Sequence, residues 1–134
     1  MMKSPPTTSD YVTARVVSEP SPACRPRVTR WGTYYTKPYE TWMADCQKQL
    51  AAQVTEPLRG NLWCAVEIIC TKPRTGKLLL PRGNVDNYVR GALEGGTKAG
   101  VWGDDGQIDF LLATKRYAKP GEDPGAIINA GVLI

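Results

Sequence analysis

Residues 84–108, "NVDNYVRGALEGGTKAGVWGDDGQI", decide the reading of this chain, because they hold a helix, its stop and the entry to a strand. Val85, Tyr88, Val89 and Ala92 recur at three- and four-residue steps, which predicts a helix from about Asn84 to about Lys98. Asn84 is a good N-cap, and Asp86 suits a first turn, where a carboxylate meets free amides and the positive end of the helix dipole. Gly95 and Gly96 weaken the far end, and Gly100 is placed to terminate it. "WGDDGQ" then reads as a turn and "IDFLLATKRYA", 108–118, as a strand.

Working outward, "GNLWCAVEIIC", 60–70, reads as a strand with Leu62, Cys64, Val66, Ile68 and Cys70 on one apolar face, as expected of a strand packed on helices. "KPYETWMADCQKQLAAQV", 37–54, reads as a helix with Pro38 near its start and a stripe of Trp42, Met43, Cys46, Leu50 and Val54. "YVTARVV", 11–17, is a first strand; "VTRWGTYYT", 28–36, is a short extended piece. Pro20, Pro22 and Pro26 make 18–27 a loop, and "TKPRTGKLLLPRG", 71–83, is another. "AIINAGVLI", 126–134, closes the chain as a strand, either buried or an uncovered edge that seeks a partner. The order strand, helix, strand, helix, strand, strand predicts one α/β (α+β) domain over 11–134, a small mixed sheet with two main helices, after a flexible polar segment 1–10.

The chain's 134 residues suit a single domain with a real core. It contains no histidine, which excludes Ser-His-Asp and Cys-His catalysis; carboxylates, Lys, Arg, Tyr, Cys or a metal must do any chemistry. Cys24, Cys46, Cys64 and Cys70 form no Cys-x-x-Cys pair, so a zinc fold is not indicated, and they read as reduced thiols, mostly buried. No apolar run reaches the roughly 20 residues that cross a bilayer, and the start lacks the apolar core of a signal peptide, so the expectation is a cytoplasmic protein with no membrane partner. A net charge of +4 weakly favours an acidic partner such as nucleic acid.

Asn84, Asp86, Asn87 and Arg90 fall in the first two turns of the second helix, with Asp86 and Arg90 on one face. Asp104 and Asp105 follow that helix. A chain folding back antiparallel to it is expected to bring them close to Asp86, and converging carboxylates suit Mg²⁺, a hard cation that takes one or two carboxylates and keeps its waters. Lys72, Arg74, Lys77 and Arg82 lie on the loop entering the same helix end, where they can follow a nucleic-acid backbone. The ordinary reading stands beside this one: a cap at Asn84, a solvated ladder of Asp86, Arg90 and Glu94, and a turn at "GDDG". Residue types alone do not choose between them.

The order of the motifs adds something. An acidic pattern opening a helix ("NVDN", Asn84–Asn87), a cation one turn on (Arg90), then Gly100, Asp104, Asp105 and Gln107 leading into a strand resembles the core of the RusA-type Holliday junction resolvases, with the specific likeness covering 82–116 and not 1–35. The resemblance implies a Mg²⁺-dependent (or Mn²⁺-dependent) endodeoxyribonuclease, a homodimer that sets two sites across a four-way or branched DNA and makes paired nicks. It implies Asp86 and Asp105 as metal ligands, with Asn84 and Asp104 beside them, and Asn84, Asp86, Arg90 and Asp105 as the catalytic group. Lys72, Arg74, Lys77, Arg82, Asn87 and Arg90 become the DNA contacts, and a bacterial or phage-infected cytoplasm the setting.

Two positions depart from that pattern. Arg90 replaces the usual lysine; it binds phosphate in a fork but holds its proton. Asn84 stands where the pattern has aspartate, which removes one negative charge. A slow or inactive natural variant, a site completed by another acid such as Asp109, and an inactivating substitution all fit. The alternative function is a non-catalytic branched-DNA-binding protein of the same fold.

Overall fold

The computed structural model describes residues 11–24 and 27–133; the expected flexible segment 1–10 lies outside the described residues. In chain order the elements are β1 (Tyr11–Val17), a small hairpin of β2 (Arg27–Thr29) and β3 (Gly32–Tyr34), α1 (Lys37–Gln53), β4 (Leu62–Cys70), α2 (Val85–Ala99), β5 (Ile108–Tyr117) and β6 (Gly125–Val132). The main sheet runs β1-β6-β4-β5. β6 pairs antiparallel with both β1 and β4, while β5 lies parallel to β4, with α2 in the crossover between them. The result is the single mixed-sheet α+β domain that the pattern of elements predicts.

Alternation decides which face is covered. Val12, Ala14 and Val16 of β1, Leu62, Cys64, Val66 and Ile68 of β4, and Ala126, Ile128 and Ala130 of β6 are buried in one cluster with Tyr39, Trp42, Cys46 and Leu50 of α1 and Val89 and Ala92 of α2. Both helices therefore sit on one face of the sheet. The predicted stripes hold, and the free thiols of Cys46, Cys64 and Cys70 are buried among them, with Cys24 half-buried. Burial pushes the Cys64 thiol up to about 12 and Cys70 to about 11, so neither is a thiolate at neutral pH.

Of the two readings of "AIINAGVLI", the buried strand holds: β6 has a hydrogen-bonded neighbour on either side, and the sheet's edges are β1 and β5. Gly95 and Gly96, read as weakening the far end of the helix, lie buried within α2. A side chain at Gly95 would lie 2.7 Å from Cys46 Cβ, and one at Gly96 would lie 2.6 Å from the Trp102 ring, so these glycines let α1 and the following turn pack against α2. Trp102, in the stretch read as a turn, is buried, and its indole N–H donates to Thr97 Oγ1 at 2.8 Å. Gly100 ends α2 as expected, in the left-handed region at φ 82°.

Candidate functional site

The start of α2 is held in place by the far end of β5. Lys115 projects from the helix-facing side of β5, where alternation calls for an apolar residue. Its ammonium donates to the carbonyls of Pro81 at 2.8 Å and Gly83 at 2.6 Å. Tyr117, two residues on along the same face, donates its hydroxyl to the Leu80 carbonyl at 2.9 Å. On the other side, the carboxylate of Glu19 accepts from both the amide and the hydroxyl of Thr71. The basic loop is thus tied at both ends, and a cleft of about 380 Å³ lies beside it, lined by Glu19, Lys72, Lys77, Arg82, Tyr88 and Tyr117 among others.

Lys72, Lys77 and Arg82 line that cleft, whereas Arg74, on the same exposed loop, does not. Asn87 is half-buried, and its carbonyl accepts from the Ala23 amide at 2.8 Å, which ties the 18–24 segment to the helix. Tyr88 is a core residue whose hydroxyl group burial pushes up to about 12, so it is neutral at physiological pH and no base.

Asn84 occupies the N-cap position, but its side chain makes no capping bond; its carbonyl accepts from Asn87 and Tyr88. Nor does the expected ladder along the helix form. The ion pairs among the described residues join Arg116 to Glu67 and Glu122, and Arg15 to Glu122, and none involves Asp86 or Arg90. Glu94 instead accepts from the Tyr39 hydroxyl at 3.2 Å. Asp86 and Arg90 are exposed at the cleft end of α2, and neither is bound to another side chain among the described residues.

The second acidic cluster divides by role. Asp104 caps a single 3-10 turn, Asp105–Gln107: its Oδ1 accepts from Gly106 N at 2.9 Å, and Gln107 Oε1 accepts from the Asp104 and Gly103 amides. The Gln107 amide then donates to the carbonyls of Leu58 and Gly60. The Asp and Gln that frame this motif therefore build the turn, and Asp105 is left exposed upon it. Asp109 is also exposed, beside the register shift where β5 slips against β4.

The topology separates the two clusters. Because Lys115 and Tyr117 tie the end of β5 to the start of α2, the strand and helix run in opposite directions, and Asp105 lies at the start of β5, beyond the end of α2. The helical rise from Asp86 to Ala99 alone amounts to about 20 Å. Antiparallel return was expected to bring Asp105 to Asp86; it does the reverse. Asp109 lies at the Asp105 end and cannot complete a site at Asp86. Among the described residues no group of three or more acidic or thiol ligands could hold a metal ion. The residues of one chain thus do not fit the Mg²⁺ centre that the resemblance implies.

The fold and this site define a small α+β domain with a basic cleft at a helix start and unpaired acids at both ends of the helix–strand pair. The model of the family Endodeoxyribonuclease RusA matches residues 18–128, and the chain belongs to that family. The match takes in residues 18–35, part of the segment 1–35 that the motif likeness had left out. No curated protein matches the chain. Lys115, Tyr117 and Glu19 were missed by sequence reading. Lys115 carried a signal, a charged residue on the inward face of a strand; Glu19, in a proline-rich loop, carried none.

Proposed function

We infer that this protein is an endodeoxyribonuclease that resolves four-way DNA junctions by paired nicks, with Mg²⁺ (or Mn²⁺) as its cation. The observation that carries this is the exposed, unpaired Asp86 and Arg90 opening α2 beside the basic cleft, in a chain of the RusA family. Lys72, Lys77 and Arg82 would neutralise phosphates along one DNA arm, a contribution that is sequence-independent and weakens with salt. Arg90 would grip the phosphate next to the cut in a two-pronged hydrogen bond, holding its charge throughout. No helix among the described residues is long and apolar enough to cross a membrane. The proposed setting is the cytoplasm of a bacterial or phage-infected cell.

One observation favours a second reading, a branched-DNA binder without turnover: Asn84 stands where an aspartate would supply a negative charge. The test is cleavage of a synthetic four-way junction in Mg²⁺ or Mn²⁺ by the chain as it stands and by Asn84→Asp. The nuclease reading expects Asn84→Asp to cut at least about tenfold faster, which corresponds to about 1.4 kcal/mol of barrier. Tight junction binding by both forms with no nicks by either would leave the binder.

A further inference from the structure

We propose that Leu79, at the tip of the basic loop, is a wedge that enters branched DNA where one base pair no longer stacks on the next, and that it thereby sets a preference for a branch point over a linear duplex. The identity of the DNA rests on the nuclease reading; the wedge itself rests on the loop.

Leu78, Leu79 and Leu80 stand in unbroken succession at 52%, 91% and 55% exposure. A single bare leucine is ordinary on a protein surface, but three together mark a surface that meets a partner. The charge around them gives the class of that partner. Residues 71–83 carry Lys72, Arg74, Lys77 and Arg82 and no acid, which equals the whole chain's net charge of +4. Lys77 directly precedes the triplet and Arg82 follows it by two residues, so the apolar tip is set between cations. Stacked bases framed by phosphates match that pattern, and leucine is one of the side chains that proteins insert between base steps. The same loop leads into the helix start where Asp86 and Arg90 stand exposed, which favours DNA over an anionic membrane.

The tip is aimed by the bonds beneath it. The Leu80 carbonyl accepts from Tyr117, and the Pro81 and Gly83 carbonyls accept from Lys115. Pro81 is buried and its φ is fixed by its ring. Leu79 is therefore the first residue beyond a rigid anchor, and little further ordering is needed to insert it. Lys115 and Tyr117 are two residues apart on β5, about 7 Å along the strand, which is about two base-pair rises. A wedge at Leu79 thus opens the DNA within a few base steps of the helix start. Energy decides where it enters. In an intact duplex the side chain must unstack a base step, a cost of the same order as its burial returns. At a branch point the stack is already broken, so the burial is gained without that cost.

The test reads binding and needs no cleavage. A four-way junction and a linear duplex of the same sequence, each with 2-aminopurine at the branch position, are titrated with the chain in the absence of divalent cations. The parent should raise the emission on the junction and bind it at least about tenfold more tightly than the duplex. Leu79→Ser should lose the emission rise and about tenfold or more in junction affinity, with duplex affinity unchanged. Leu79→Met keeps an apolar side chain and should keep both. Leu79 is exposed, so these variants leave the core intact. Equal junction affinity of the parent and Leu79→Ser overturns the wedge, and so does an equal loss on junction and duplex, which makes Leu79 a general contact. Binding to phosphatidylserine vesicles that Leu79→Ser abolishes, with junction affinity unchanged, overturns it in favour of a membrane surface. The nuclease reading fails separately. An Asn84→Asp protein that shows the Leu79-dependent emission rise but never nicks rejects that reading and leaves the wedge, whereas nicking without the emission rise rejects the wedge alone.

Discussion

Gly95→Ala tests whether the packing between α1 and α2 is as tight as the structure shows. In an exposed helix interior, replacing glycine by alanine stabilises by about 0.5–1 kcal/mol through backbone entropy. At position 95 the new methyl would stand 2.7 Å from Cys46 Cβ and 3.0 Å from the Gln47 amide nitrogen. Neither neighbour is the free end of a flexible side chain, so the helices must separate. Forced overpacking of this kind costs typically about 1–3 kcal/mol. With a backbone atom among the contacts the upper half of that range applies, and after subtracting the propensity gain a net loss of about 1–2 kcal/mol remains. For a domain of this size that lowers Tm by roughly 3–8 °C. The assay is urea unfolding followed by tryptophan fluorescence, since Trp42 and Trp102 are buried. A Gly95→Ala protein that is more stable than the parent would refute the close approach, because propensity alone would then be acting.

Lys77→Ala combined with Arg82→Ala should weaken junction binding and lower the slope of log affinity against log salt by about 2; an unchanged slope in fluorescence anisotropy removes the basic loop from the interface. Lys115→Met deprives the Pro81 and Gly83 carbonyls of a charged donor, in bonds worth about 1.5–3 kcal/mol each at most. Its loop 71–83 should become protease-sensitive while far-ultraviolet circular dichroism is unchanged; a loop as resistant as the parent's would deny Lys115 its anchoring role. The Glu122 carboxyl is held down at about 2, first by its hydrogen bond to Arg116, then by the Lys119 amide. Its folded value lies below the ordinary 4.5, so its contribution is complete above that value and is lost as pH falls from there towards 2. Stability against pH across this window should be flatter in Glu122→Gln than in the parent, and equal slopes would count against the Arg116 pairing.

Much of the fold is legible in the residues because its elements are strongly patterned. β4 alternates so cleanly that its buried face could be listed in advance, and the stripe of α1 brings Trp42, Cys46 and Leu50 to the core as expected. The short hairpin of β2 and β3 appears in the sequence only as an extended piece, since Val28 and Trp31 are exposed and leave no periodicity to read. Gly95 and Gly96 show why composition misleads at close contacts. Propensity scores a helical glycine by entropy alone, while its value here lies in what a neighbouring helix can approach. The edges of the sheet were illegible for a related reason. An apolar strand such as β6 reads alike whether it has neighbours on both sides or one, and strand order is a property of the whole chain.

The candidate site shows the converse, an error that the sequence itself contained the means to correct. Asp86 and Asp105 are joined by a helix and a short turn. A helix of that length carries the chain about 20 Å away, and a turn of a few residues cannot bring it back. Only a strand running the full length of the helix returns to its start, and that strand begins after Asp105, so it is Lys115 and Tyr117 that come back to the helix start. A motif whose two halves are divided by one helix therefore points away from a site within one chain. What no local reading supplies is the exposure of Phe110, Leu111 and Leu112, which follows only once β5 is known to be the last strand of the sheet.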